Sequence, residues 1–147
     1  LAEIHIELSK CLLTCVTAAG GDPSSERPLD GVNLLPFLDS PQKTVPHEKL
    51  FWHKLWFSAM REGPWKLIYV QDYGYALYNL DNDLSERHDL SKIMPERVDK
   101  MTKSMNRWKE ELSEPQWKES AQWFDTHSKN HIRIINGDDY LIDYPKQ

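Results

Sequence analysis

Two cysteines, six histidines and a short acidic run are the residues whose types could do chemistry. Cys11 and Cys15 stand in Cys-Leu-Leu-Thr-Cys, four residues apart. A thiolate pair would need two further ligands to hold zinc, and no second pair exists. At i and i+4 of a helix they share one face, so the spacing predicts two small buried side chains. His127 and His131 have the same spacing and could hold a metal on a helix if a third ligand came near. Their polar surroundings suggest an ordinary tail segment instead. His47 and His88 are isolated. Asp81-Asn82-Asp83 lacks the glycine and terminal glutamate of an EF-hand loop. No metal site is expected, and no nucleophile–base pair is readable.

These residues sit in a chain of 147 residues, long enough for a real core. Such a chain buries about 68–70% of the surface its unfolded form exposes. Hydrophobic residues are 39% and charged residues 28%, a globular profile. Six Trp and six Tyr must do much of the packing. Net charge is −5, and no basic run stands out, which argues against nucleic acid or an anionic membrane as partner. The apolar stretch Cys11 to Ala19 is too short and Thr-rich to span a bilayer. Acidic Glu3 and Glu7 precede it, unlike the basic start of a signal peptide. The chain opens on Leu rather than Met, which points to processing or to a fragment.

The elements follow from periodicity. Residues 5–19 read as a helix ended by Gly20-Gly21. A turn-rich connector leads to the compact apolar segment 29–38, and Ser40 to Pro46 is a loop by composition. Leu50 to Phe57 and Ser58 to Glu62 read as aromatic strand, broken at Gly63-Pro64. Trp65 to Val70 and Ala76 to Leu80 flank a hairpin turn at Asp72-Tyr73-Gly74. The fold class is therefore α+β, with a small antiparallel sheet of three to four strands. A long amphipathic helix from Pro95 to Leu112 covers it, because Val98, Met101, Met105, Trp108 and Leu112 form one stripe. Glu96 with Lys100 and Asp99 with Lys103 are its expected surface pairs. Trp52, Trp65 and Trp108 are expected in the core, and Lys66 in solvent. Beyond Pro115, Trp117, Trp123 and Phe124 could extend a helix. Ile132, Ile134, Tyr140 and Ile142 suggest a terminal hairpin around Asn136-Gly137. Residues 1–46, 47–115 and 116–147 thus read as connector, sheet-and-helix unit, and tail.

Three segments, in order, resemble the C-terminal part of formylglycine-dependent sulfatases of the alkaline-phosphatase-like superfamily (arylsulfatase or N-acetylgalactosamine-6-sulfatase-like). Leu29 to Leu38 is similar to the family's LDGxxLLPxL connector. Leu50-Phe51-Trp52 with Ala59 to Ile68 is similar to its AxRxGxWKLI strand pair. Leu77 to Leu90 is similar to its LYxLxxDxxExxNL segment. The likeness covers residues 15–115, with Leu84 where proline is frequent. Ser9-Lys10 stands in place of the Pro-Thr of the preceding helix.

The resemblance implies sulfate-ester hydrolysis in a whole protein, with a formylglycine nucleophile, calcium held by oxygen ligands, and cations around the sulfate. None of that set is present here. Gly21-Asp22-Pro23-Ser24-Ser25 fails the nucleophile motif C/S-x-P-S-R at its first and last positions, and neither cysteine is followed by Pro-Ser-Arg. The implied catalytic residues in this chain are none, and the implied partner is a sulfatase catalytic domain. Strand-end residues His53, Lys54 and Arg61 are the candidates for a substrate rim that meets sulfated carbohydrate. Taken singly, Arg61 paired to a local carboxylate and His53 half-buried in a strand are the plainer readings. The alternative is a free-standing carbohydrate- or protein-binding α+β module. A subdomain cut from its partner should expose an apolar patch and self-associate. By resemblance, the setting is periplasmic, extracellular or lysosomal.

Overall fold

A computed structural model describes residues 8–22, 31–38, 45–113 and 120–138. The chain divides into two compact units, Leu1–Glu48 and Lys49–Gln147.

In the first unit, α1 (Leu8–Ala18) ends where the sequence predicts. Gly20 takes φ 78°, its N–H donates to the Thr17 carbonyl, and the Gly21 N–H donates to that of Val16. This crossed pair satisfies the helix's last carbonyls. A Cβ at Gly21 would come within 2.9 Å of Val16 Cγ1 and 3.2 Å of the Val16 carbonyl oxygen, so a side chain there would force a shift. The short helix α2 (Leu35–Leu38) follows, and the Leu34 N–H donates to Thr14 Oγ1 at 3.0 Å. Leu13 and Leu34 are the buried apolar residues of this unit among those described. Cys15 is exposed with a free thiol, which corrects the expectation of burial.

The second unit is a four-stranded antiparallel sheet in chain order. Its strands are β1 (Lys49–Lys54), β2 (Phe57–Glu62), β3 (Trp65–Val70) and β4 (Gly74–Asn79). Leu50 to Phe57, read as one strand, is in fact a hairpin: Lys54 pairs with Phe57 across a two-residue turn, Leu55-Trp56. The remaining turns fall at Gly63-Pro64 and around Asp72, with Gly63 and Asp72 in the left-handed region.

Alternation gives the sheet two faces. One carries Phe51, Met60, Leu67 and Leu77 and is covered by α3 (Pro95–Lys109), whose Met101 and Met105 are fully buried. Trp108 stacks on Phe51 at 5.0 Å, and Arg97 lies over Trp65 at 4.2 Å. The helix stops at Lys109, so Leu112 lies beyond it and is exposed. Asp99 and Lys103 pair at 2.6 Å as expected, whereas Lys100 reaches across to Glu62 at 3.6 Å. The other face carries Ala59, Ile68, Val70, Ala76 and Tyr78, with Ile132 and Ile135 of α4 (Ala121–Ile135) packed against it.

That last helix corrects the expected terminal hairpin. Ser120 caps it by accepting from the Trp123 N–H, and Gly137 at φ 82° closes it. A left-handed glycine after asparagine serves a hairpin turn and a helix C-cap equally well, so Asn136-Gly137 was ambiguous. Tyr140 and Ile142 lie outside the described residues. The β4 edge is closed at its middle: the Leu77 N–H donates to Asp89 Oδ1 at 2.9 Å, and the Leu90 N–H to the Leu77 carbonyl at 2.8 Å. No described helix is long and apolar enough to cross a membrane.

Candidate functional site

The site forms where the β1–β2 hairpin meets α4. A two-residue turn takes Leu55 to φ 27° and turns Trp56 inward, so that this residue is only 3% exposed. Around its indole stand Phe57 at 6.2 Å, Phe124 at 5.7 Å, His127 at 6.1 Å and His131 at 5.5 Å between ring centroids. Positions 124, 127 and 131 recur at helical spacing, so one face of α4 delivers three of these rings. A cavity of about 340 Å³ opens beside them, lined by Trp52, His53, Lys54, Trp56, Phe57, His127 and His131.

The predicted rim residues divide. His53 and Lys54 line this cavity, and Lys54 Nζ lies 5.9 Å from the Trp56 ring, within range of cation–π attraction. Arg61 does not join them. It sits four residues along β2 from Phe57, roughly 13 Å away at strand rise. There its Nε donates to the Gly63 carbonyl at 3.0 Å rather than to a carboxylate. Its register partners are Leu50 and Lys66. Lys66 is not a solvated side chain either, since its ammonium pairs with Glu86. Trp52, expected in the core, is 36% exposed and offers a flat face at the cavity.

Sequence reasoning passed over Trp56, and it placed His127 and His131 in a polar tail segment rather than against the sheet. Leu50-Phe51-Trp52 and Leu55-Trp56-Phe57 are both continuous apolar runs, so no alternation marks the turn between them. The His131 Nδ1 lies 2.9 Å from the His127 carbonyl, a hydrogen bond in the tautomer that carries the proton on Nδ1. The Trp56 Nε1 and Ser128 Oγ atoms are buried without a hydrogen-bond partner. Each such group costs about 1–3 kcal/mol.

Chemically, the arrangement suits recognition. His53 Nδ1 lies 3.0 Å from Ser58 Oγ, but Ser58 is 1% exposed and its hydroxyl has no access to a substrate. Among the described residues no group of three or more His, Cys, Asp or Glu is placed to hold a metal ion. The described residues thus do not fit a calcium centre. Aromatic faces, imidazoles and an ammonium remain, a set that stacks on rings and hydrogen-bonds to hydroxyls or anions.

No protein-family model matches the sequence, and no curated protein matches it. Solved structures do match. Ps i-CgsB, both alone and in complex with k-i-k-neocarrahexaose, superposes with a TM-score of 0.63 at 26% identity, over 78% of this chain and 26% of that one. A protein labelled BT33336S-sulf, described with the metabolism of multiple glycosaminoglycans by Bacteroides thetaiotaomicron, superposes at 0.54 with 21% identity, a likeness of fold alone. It covers 68% of this chain and 24% of that chain. The matched chains are sulfatases, and this chain is similar to a sulfatase-related domain that spans about a quarter of their length.

Proposed function

We propose that this chain is the C-terminal subdomain of a sulfatase, and that sulfate-ester hydrolysis belongs to the larger remainder of the protein. The observation that carries this reading is the match of 78% of the chain to 26% of Ps i-CgsB. It agrees with the order of the three sequence segments that resemble sulfatases. On this reading formylglycine and calcium reside in the catalytic domain, which is the partner of this unit. The hairpin cavity with His53 and Lys54 forms part of a rim for sulfated carbohydrate, of which the aryl or sugar identity follows from the remainder. Trp52 supplies a stacking face and Lys54 a positive charge. The oligosaccharide bound to Ps i-CgsB supports a carbohydrate as the class of ligand. Arg61 is too far along β2 to serve the same subsite.

A second reading is a carbohydrate-binding module without a catalytic partner, favoured by the cavity's aromatic and basic lining. Sequencing the coding DNA upstream of Leu1 separates the two. An in-frame C/S-x-P-S-R segment with an acidic cluster is expected. A start codon or an unrelated domain immediately upstream would overturn the sulfatase reading.

A further inference from the structure

A second cavity lies beside α4, shares Phe57 and His131 with the first, and differs in character. It is a half-open cavity of about 230 Å³, lined by Phe57, Lys66, Ile68, Tyr78, Glu86, His131, Ile134 and Ile135. Four of these make apolar walls. The polar groups are two partners in an ion pair, a phenol and an imidazole. Lys66 spends one ammonium proton on Glu86 and keeps two. Glu86 holds φ 55°, a conformation uncommon for a glutamate, and so presents its carboxylate to Lys66 from the 81–89 loop. Tyr78 is 1% exposed, and burial raises its hydroxyl pKa, so it stays neutral. His131 has Nδ1 engaged by the His127 carbonyl, so Nε2 is the ring nitrogen not used there.

We infer that this cavity binds a small hydroxylated ring, of the phenol class. An apolar cavity of about 150 Å³ holds benzene, so the volume here admits a substituted ring with a few more atoms. A single hydroxyl is the group that matches the polar end, because it accepts from Lys66 and donates to Glu86. A sugar, polar all round, would leave hydroxyls unpaired against Phe57, Ile68 and Ile135. A plain hydrocarbon would fill the walls and leave the polar end unanswered. This site is independent of the sulfatase reading and does not involve His53, Lys54 or Arg61.

The test uses p-cresol and toluene as probes on the 147-residue chain, read by backbone amide NMR and by thermal melting. p-Cresol is expected to shift amides around Ile68, Tyr78 and Ile134 and to raise the melting temperature. Toluene is expected to bind at least about threefold more weakly. Ile134→Trp, which fills the cavity from its outer rim, should weaken p-cresol binding about tenfold. Ile134→Phe serves if the larger ring prevents folding. No amide shifts with p-cresol up to about 5 mM would overturn the assignment. Equal binding of toluene, or undiminished binding in the filled variants, would do the same.

Discussion

The two faces of the sheet are covered by helices of the same length, yet they are built differently. On one face α3 lies against β1, β2 and β3 and drives two methionines into Met60, Leu67 and Leu77, all without solvent access. On the other, α4 meets chiefly β3, and its inward row runs Phe124, His127, Ser128 and His131 before Ile132 and Ile135. Unbranched thioethers fill irregular gaps and leave nothing polar to satisfy. Imidazole and indole rings leave N–H groups that need partners and edges that pack less completely. Two cavities open on the α4 face beside His131 as a result. The difference teaches which face holds the fold and which is free to hold something else.

The largest test of that contrast is Met101→Ala, which empties a site in the closed face. A loss of about 2–5 kcal/mol is expected, measured by urea unfolding. His131→Ala on the open face should cost less than half as much. Similar losses for both would mean that the α4 face is as tightly built as the other.

Much of this was legible in the sequence, and the reasons are physical. The Met and Trp stripe of α3 reads cleanly because a period of 3.6 is sustained over four turns with charges on the wet side. The β3–β4 hairpin reads cleanly because Asp72-Tyr73-Gly74 supplies residues that tolerate positive φ. The open face did not read. α4 carries histidines where an apolar stripe is looked for, and its Asn136-Gly137 cap imitates a hairpin turn. Trp56 was hidden because its turn uses Leu55 at φ 27°, with neither glycine nor asparagine to announce it. Of the three rim candidates, His53 and Lys54 end β1 and line one cavity. Arg61 was grouped with them by closeness in sequence, whereas in the sheet it belongs at the opposite end of β2.

Alkaline titration gives a mid-sized effect that falls on the open face. Tyr78 has its pKa raised, first by burial and then by the nearby Asp89 carboxylate. A group raised in the folded state adds stability that is fully present below its unfolded pKa, about 10 for tyrosine. That stability is lost as pH climbs from there toward the folded value. The chain should therefore lose stability progressively above about pH 10, and Tyr78→Phe should flatten that decline. Tyr73 is raised for the same reasons and contributes in the same direction. A pH profile unchanged in Tyr78→Phe would remove Tyr78 as the cause.

The smallest effect separates α4 from the sheet beneath it. Ser120 accepts from the Trp123 N–H at 3.3 Å, and this is the side-chain bond that caps the helix start. Ser120→Ala should cost about 0.5–2 kcal/mol of helix stability. If α4 docks as a weakly held element, that cost appears as faster amide exchange confined to residues 121–135, with the β2–β3 amides unchanged. If instead α4 and the sheet unfold as one unit, the same substitution lowers protection in the strands and in α3 by an equal amount. The first pattern is expected, because the α4 contacts are interrupted by cavities on both sides of His131, and an interrupted contact transmits little of a helix's stability to its support.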